Sequence, residues 1–290
     1  MRTEQEILDT IIRIANENDH IRAAYMHGSR ANPNAEKDNY SDYDIVFVVT
    51  ETDSFTGNNE WLNIFGELAF SFEGHKNQNM FYTKKINDLT RRFSLGMMFK
   101  DGNHIDLVIE IIEEAMNHNQ IKNKPVIILL DKDGCLFETA PICNESLYIK
   151  KPCEDEYISC CSGFWWFLSY VAIGIARNQL PYAREFLTSH NSSILNRMIE
   201  WYIGIQTDFS VGLGRDNRYY KKYLPTDIYD LYLQTHSDCD SENLWNAIFI
   251  ACELFNKTAS SVAAFLGFIY NKQEEENMKD YLVNIKNGII

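Results

Sequence analysis

The spacing of apolar residues changes character near Lys150-Lys151-Pro152, and that change restricts the chain to a two-part architecture. Before it, apolar residues come in short, β-branched runs separated by turn formers. After it they recur at helical spacing over long stretches. A chain of 290 residues also exceeds the usual size of one domain. The expected fold is α+β. Residues 1–150 would form a domain with a mixed β-sheet and flanking helices, and residues 151–290 an α-helical bundle.

The first half reads in order. Ile7, Ile11, Ile12 and Ile14 share one face of a helix predicted over 4–18. Ile21 to Met26 suits a buried strand that ends at His27-Gly28-Ser29-Arg30, and 31–41 is a loop. Asp44 to Thr50 is a second core strand, and Trp61–Ala69 has the look of a crossover helix. Phe93–Lys100 and His104–Ile111 flank Asp101-Gly102-Asn103, which predicts a hairpin because Gly tolerates the positive φ of a tight turn. Pro125–Leu130 is a further strand, followed by a turn at Asp131-Lys132-Asp133-Gly134. In the second half Phe164, Phe167, Leu168, Val171 and Ile175, then Leu195, Met198, Ile199 and Tyr202, then 244–269, follow the helical period.

Charge and composition narrow the function. The formal net charge is −14, so a nucleic-acid backbone would be repelled unless a basic groove outweighed it, whereas Mg²⁺ and small polycations would be attracted. Seven cysteines (Cys135, Cys143, Cys153, Cys160, Cys161, Cys239 and Cys252) are an odd number without CxxC spacing, which predicts reduced, mostly buried thiols. The seven histidines have no metal-binding spacing. No uninterrupted apolar run reaches membrane length and the N-terminus is charged, so the expectation is a cytoplasmic protein with no membrane partner.

The chemistry is carried by acidic residues. Asp42 and Asp44 flank Tyr43 where the second strand begins, and alternation puts both carboxylates on one face. Two such charges repel unless a cation sits between them, and Mg²⁺ is the natural oxygen-seeking choice. Alone, Asp-x-Asp is a weak signal that also suits a loop cap. Here it follows Gly28-Ser29, where glycine lets a phosphate approach the backbone and serine offers donors, and Arg30 adds a guanidinium fork. Asp106 is the third candidate. It is a carboxylate within an apolar strand, on the face it shares with His104 and Val108, placed to act as general base or to touch a metal; an exposed sheet edge is the alternative. Possible donor cations in the helical half are Arg177, Arg215, Lys221 and Lys222, each of which also suits a solvated helix face. Trp165 and Trp166 read as core in preference to a stacking platform, and Asp131 and Asp133 as turn formers.

Gly28-Ser29, Asp42-x-Asp44 and a later strand aspartate resemble the polymerase-β-like nucleotidyltransferases. Over nearly the whole chain the text is similar to the aminoglycoside 6-adenylyltransferases that act on streptomycin: MRTEQEILD at the start, GSR at 28–30, SDYDI at 41–45, DGNHIDL at 101–107, LLDKDG at 129–134, FWW at 164–166, ARNQLPYA at 176–183 and RYYKKYL at 218–224. The resemblance implies an N-terminal nucleotidyltransferase domain and a C-terminal helical domain that binds substrate or nucleotide. It implies transfer of AMP from ATP to the 6-hydroxyl of streptomycin, with Mg²⁺ as a pair of ions and release of pyrophosphate. Asp42, Asp44 and Asp106 would be metal ligands, Asp106 also the base, and Gly28, Ser29 and Arg30 the phosphate contacts. Two positions depart from the family pattern: Ile173 stands where lysine is frequent and Gln179 where glutamate is frequent. Two other readings keep the fold: an acceptor that is RNA or protein, and a nucleotide-binding module without turnover. Short basic clusters such as Arg91-Arg92 and Lys221-Lys222 argue against nucleic acid, and no obligate protein partner is expected.

Overall fold

The computed structural model describes residues 1–33, 35, 37–57, 59–73, 88–117, 125–136 and 148–289. The chain divides into two compact units, Met1–Asn144 and Glu145–Ile290.

In the first unit, α1 (Glu4–Glu17) starts at a capping box. The Thr3 side chain accepts from the Glu6 amide and the Glu6 carboxylate accepts from the Thr3 amide, which satisfies two donors the helix itself leaves open. β1 (Ile21–His27) leads into the single turn α2 (Gly28–Ala31), and β2 is Tyr43–Val49. β3 (Leu68–Glu73), β4 (Arg92–Phe99), β5 (His104–Ile111), α3 (Ile112–Asn117) and β6 (Ile127–Asp131) follow. The described strands form one sheet in the order β3-β4-β5-β2-β1-β6. β2 and β5 pair in parallel and the other neighbours antiparallel, so the sheet is mixed.

Two expectations meet different outcomes here. The hairpin across Asp101-Gly102-Asn103 forms as β4 and β5, with Gly102 at φ +87°. The crossover helix at Trp61–Ala69 does not. A 3₁₀ segment covers Asn59–Phe65, Gly66 breaks it at φ +142°, and the alternating Leu68–Glu73 joins the sheet edge as β3. Trp61, Leu62 and Phe65 still supply apolar packing, which is what their spacing signalled.

The sheet has two unlike faces. Ile7 and Ile11 of α1 pack with Met26, Ile45, Phe47, Leu95, Leu107 and Ile109 in the main core of this unit. Fully burying such a side chain contributes about 1.5–3 kcal/mol. The other face carries a smaller cluster of Ala23, Tyr25, Val46, Val48 and Ala115. Buried Glu110 is satisfied on that side: the Tyr25 hydroxyl donates to it at 3.0 Å, and Arg92 lies 3.6 Å away.

The second unit is helical: α4 (Glu154–Ala176), α5 (Leu180–Glu185), a π-helical turn (Phe186–Asn191), α6 (Ser192–Gln206), α7 (Tyr220–Tyr223), α8 (Thr226–Gln234), α9 (Ser241–Leu266) and α10 (Lys272–Lys286). Phe164 of α4 stacks on Phe255 of α9 with centroids 3.9 Å apart, inside a core that also holds Leu168, Met198, Ile199 and Ile248. By length and composition α4 and α9 are apolar enough to cross a membrane, although neither is an uninterrupted apolar run. Their buried residues build the bundle core. The six described cysteines are free thiols, and Cys143 lies outside the described residues.

Candidate active site

Three carboxylates converge because of strand register. Asp44 in β2 and Asp106 in β5 are direct partners across the parallel pair, so both side chains leave the sheet on the same face. Asp42 lies just before β2, two residues ahead of Asp44 and therefore on the same side. One oxygen from each of Asp42, Asp44 and Asp106 lies within 4.8 Å of the others. Ile105 and Leu107 point the other way, into the main core, and so anchor the strand that presents Asp106.

Gly28 completes the corner. It has φ +74°, and a Cβ there would fall 1.8 Å from Oδ2 of Asp44. No side chain fits, and only glycine adopts that backbone without strain. The Ser29 hydroxyl has no hydrogen-bond partner among the described residues.

Electrostatics show what the cluster lacks. Burial, and after it the charges of Asp42 and Asp106, push the Asp44 carboxyl up to about 6. His104 brings positive character close: its Nε2 sits 3.0 Å from Oδ1 of Asp106. That hydrogen bond is the main reason the His104 imidazole is held above its ordinary value, with burial opposing. Three gathered carboxylates, one of them reluctant to ionise, form a donor set suited to a hard divalent cation.

Arg30 has a different employment from the phosphate contact expected of it. Its side chain is 6% exposed, its Nε and Nη2 donate to the Ser41 carbonyl at 3.2 and 2.8 Å, and Nη1 donates to Glu4 at 3.0 Å. Nε also reaches the Asp42 carbonyl at 3.1 Å, and the guanidinium lies over the Tyr43 ring at 3.9 Å. Arg30 thus fastens Asp38 and Ser41 to the start of β2 and fixes where Asp42 emerges.

The candidate cations of the helical unit lie at the end of α4, in the Arg215–Asn217 turn and on α7. Arg215 is almost fully exposed beside Asp216, and Lys222 hovers over the Tyr219 and Tyr223 rings at 5.9 and 5.7 Å. Lys221 is exposed on the same short helix, and Arg177 caps α4. Trp165 is core as expected. Trp166, read as core from its spacing, is instead 63% exposed. Asp131 and Asp133 do form a turn: Asp131 accepts from the Cys135 and Leu136 amides at 3.0 Å, and Asp133 pairs with Arg22. Two histidines carry no spacing motif yet border the cluster: His104, and His27, the register partner of Asp44 in β1.

Comparison with known proteins gives this geometry its context. A family model for streptomycin adenylyltransferase matches residues 1–285. The chain belongs to the streptomycin adenylyltransferase family. It is 32% identical over 275 residues to the aminoglycoside 6-adenylyltransferase of Bacillus subtilis (strain 168), covering 95% of both chains. It is 30% identical over 284 residues to that of Staphylococcus aureus, covering 98% of this chain and 99% of the relative. A crystal structure of an aminoglycoside 6-adenyltransferase from Bacillus subtilis aligns over 99% of each chain at 29% identity, with a TM-score of 0.47. Membership makes this chain a nucleotidyltransferase, and Asp42, Asp44 and Asp106 are the acidic group that could hold its metal.

Proposed function

We propose that the protein transfers AMP from ATP to a hydroxyl of an aminoglycoside, with the 6-hydroxyl of streptomycin as the acceptor and pyrophosphate as the leaving group. The observation that carries this is the convergence of Asp42, Asp44 and Asp106 within 4.8 Å beside a corner open only to glycine. The relatives' names point to the acceptor, and the net charge of −14 suits a polycationic drug better than RNA.

Asp42, Asp44 and Asp106 would hold Mg²⁺, which neutralises triphosphate charge and makes the α-phosphorus a better electrophile. The protein's own groups do the rest. The amide and hydroxyl of Ser29 donate to phosphate oxygens. His104 occupies Oδ1 of Asp106, which leaves Oδ2 to accept the proton of the acceptor hydroxyl. The hydroxyl oxygen bonds to the α-phosphorus as the bond from that phosphorus to the bridging oxygen breaks, and pyrophosphate departs with the electron pair. Arg30 acts at a distance from the substrate by holding the loop that presents Asp42.

Incubation with ATP, Mg²⁺ and streptomycin should give a drug heavier by one AMP unit in mass spectrometry, together with pyrophosphate. Absence of adduct across a panel of aminoglycosides would sink the reading.

A further inference from the structure

Strand register continues past the carboxylates toward the edge of the sheet. Asp44 in β2 faces Asp106 in β5, Asp106 faces Gly96 in β4, and Gly96 faces Phe72 in β3. Residues opposed in this way send their side chains to one face. A second row runs beside the first: His104 faces Met98, and Met98 faces Phe70. Leu95, Met97 and Phe99, which alternate with Gly96 and Met98, enter the main core on the other face. The acidic cluster therefore borders a shelf made by Gly96, Met98 and Phe70.

Nothing in the fold requires glycine at position 96. Its backbone is not left-handed. A Cβ there would lie 3.5 Å from Oδ1 of Asp106 and 3.7 Å from Cβ of Phe72, both ordinary contacts. Alanine fits where at Gly28 it does not. Glycine also weakens a strand interior, and in such a position it often marks where a ligand approaches the backbone closely. Met98 and Phe70 are 50% and 57% exposed. A single exposed apolar side chain is ordinary. Two neighbours beside a group of carboxylates give the apolar wall with few polar groups that small-ligand sites present.

The displacement at phosphorus selects the ligand. Gly28 and Ser29 follow β1, on one side of Asp44, whereas Gly96 and Met98 lie in β4, on the far side of Asp106. Phosphoryl-type transfer sets the leaving and attacking oxygens roughly in line, on opposite sides of the phosphorus. With the triphosphate tail against Ser29, the acceptor hydroxyl arrives from the β4 side, where Asp106 meets it.

We infer that Gly96 and Met98 determine acceptor specificity: the acceptor, a polyhydroxylated cation, lies over Gly96 with the apolar face of its ring on Met98 and Phe70. The assignment rests on the adenylyl-transfer reading above and adds to it the place of the acceptor.

Steady-state kinetics of the full chain with ATP, Mg²⁺ and streptomycin test this. Met98→Lys and Met98→Glu put opposite charges at an exposed position and spare the core. Lysine should raise the KM for streptomycin about threefold and glutamate should lower it by a similar factor, as expected of an exposed charge. Both shifts should shrink with added salt, and the KM for ATP should stay at the parental value. Gly96→Ala should raise the KM for streptomycin about tenfold, the effect of one carbon too many in a binding pocket. Its Tm should be held or raised, because a strand glycine has been removed. A parental drug KM in Gly96→Ala, or in both charged variants, overturns the assignment while adenylyl transfer stands. So does a charge effect that falls on the KM for ATP with the opposite sign, which would put the donor on this shelf. If the parent transfers AMP to no aminoglycoside, both fall.

Discussion

The imidazole of His104 and the carboxylate of Asp106 stand two positions apart on one strand and are joined by a 3.0 Å hydrogen bond from Nε2 to Oδ1. Alternation puts both on the same sheet face, so the pair is fixed by backbone geometry and needs no loop to assemble it. His104 then determines which carboxylate oxygen remains available. Replacement of a group that orients a metal-binding or catalytic carboxylate typically costs about 10- to 100-fold in activity or metal affinity. His104→Ala should fall in that range in kcat/KM, with the Mg²⁺ concentration for half-maximal rate raised and circular dichroism unchanged. Unaltered kinetics would make the contact incidental.

The carboxylate cluster should trade stability for function. The Asp44 carboxyl is pushed up to about 6, first by burial and then by Asp42 and Asp106. With its folded value above the ordinary 3.8, the folded state holds the proton more tightly than the unfolded chain. Stability from this group is present at low pH and is lost as pH rises through that interval, so at pH 7 the ionised cluster is a net cost. Asp44→Asn should therefore raise the Tm of chelator-treated protein at pH 7, and this gain should vanish near pH 4. The same variant should lose turnover by about two orders of magnitude or more, as expected for a group acting in the transition state. A lower Tm in chelator would contradict the electrostatic account.

Much of this candidate site is legible in the residue pattern. Asp42 and Asp44 were legible because alternation and like-charge repulsion together demand a cation. Asp106 was legible because a carboxylate inside an apolar strand needs a reason. The direct parallel pairing of β2 and β5, which sets Asp44 beside Asp106, was not legible, since register between strands distant in sequence is decided by packing and leaves no local mark. The carbonyl contacts of Arg30 were not legible for a related reason: a guanidinium serves a phosphate and loop carbonyls equally well, and residue type does not show which of them it meets. At Trp61–Ala69 the apolar spacing was compatible with a helix, and Gly66 followed by alternating residues yielded a strand. Trp166 sits on a helix whose apolar residues exceed one face, so periodicity could not separate the buried Trp165 from its exposed neighbour.

Gly28 offers a steric test. With φ +74° and a built Cβ 1.8 Å from the Asp44 carboxylate, even alanine must displace either the turn or the side chain. The backbone strain alone is of the order of 1–3 kcal/mol. Gly28→Ala should lower Tm and reduce turnover at least tenfold, an estimate set by displacement of a positioned catalytic group. Ser29→Ala, which fits without strain, should leave Tm unchanged and act mainly on the KM for ATP. A Gly28→Ala enzyme with parental kinetics would show that Asp44 tolerates a second position.

The N-terminal clip provides the clearest dependence on pH. Arg2 donates through Nε to Oδ2 of Asp101 at 2.7 Å, stacks over Phe99 at 4.8 Å and bonds the Phe65 carbonyl. It thereby ties the start of the chain to the hairpin that delivers Asp106. Burial tends to raise the Asp101 carboxyl, but hydrogen bonds from Arg2 and Asn103 together outweigh it and hold the group well below the usual carboxylate range. A depressed folded value means the clip contributes fully above the unfolded value, near 3.8, and is lost as pH falls through the lower folded one. Asp101→Asn should therefore lower Tm at pH 7, and the gap to the parent should begin to narrow as pH falls below about 3.8 and be smaller at pH 2 than at pH 4. The contact is partly exposed, so added salt should narrow the gap at pH 7. Thermal unfolding of both proteins at pH 7, 4 and 2 decides the matter: a gap as wide at pH 2 as at pH 7 would place the contribution in shape and not in charge.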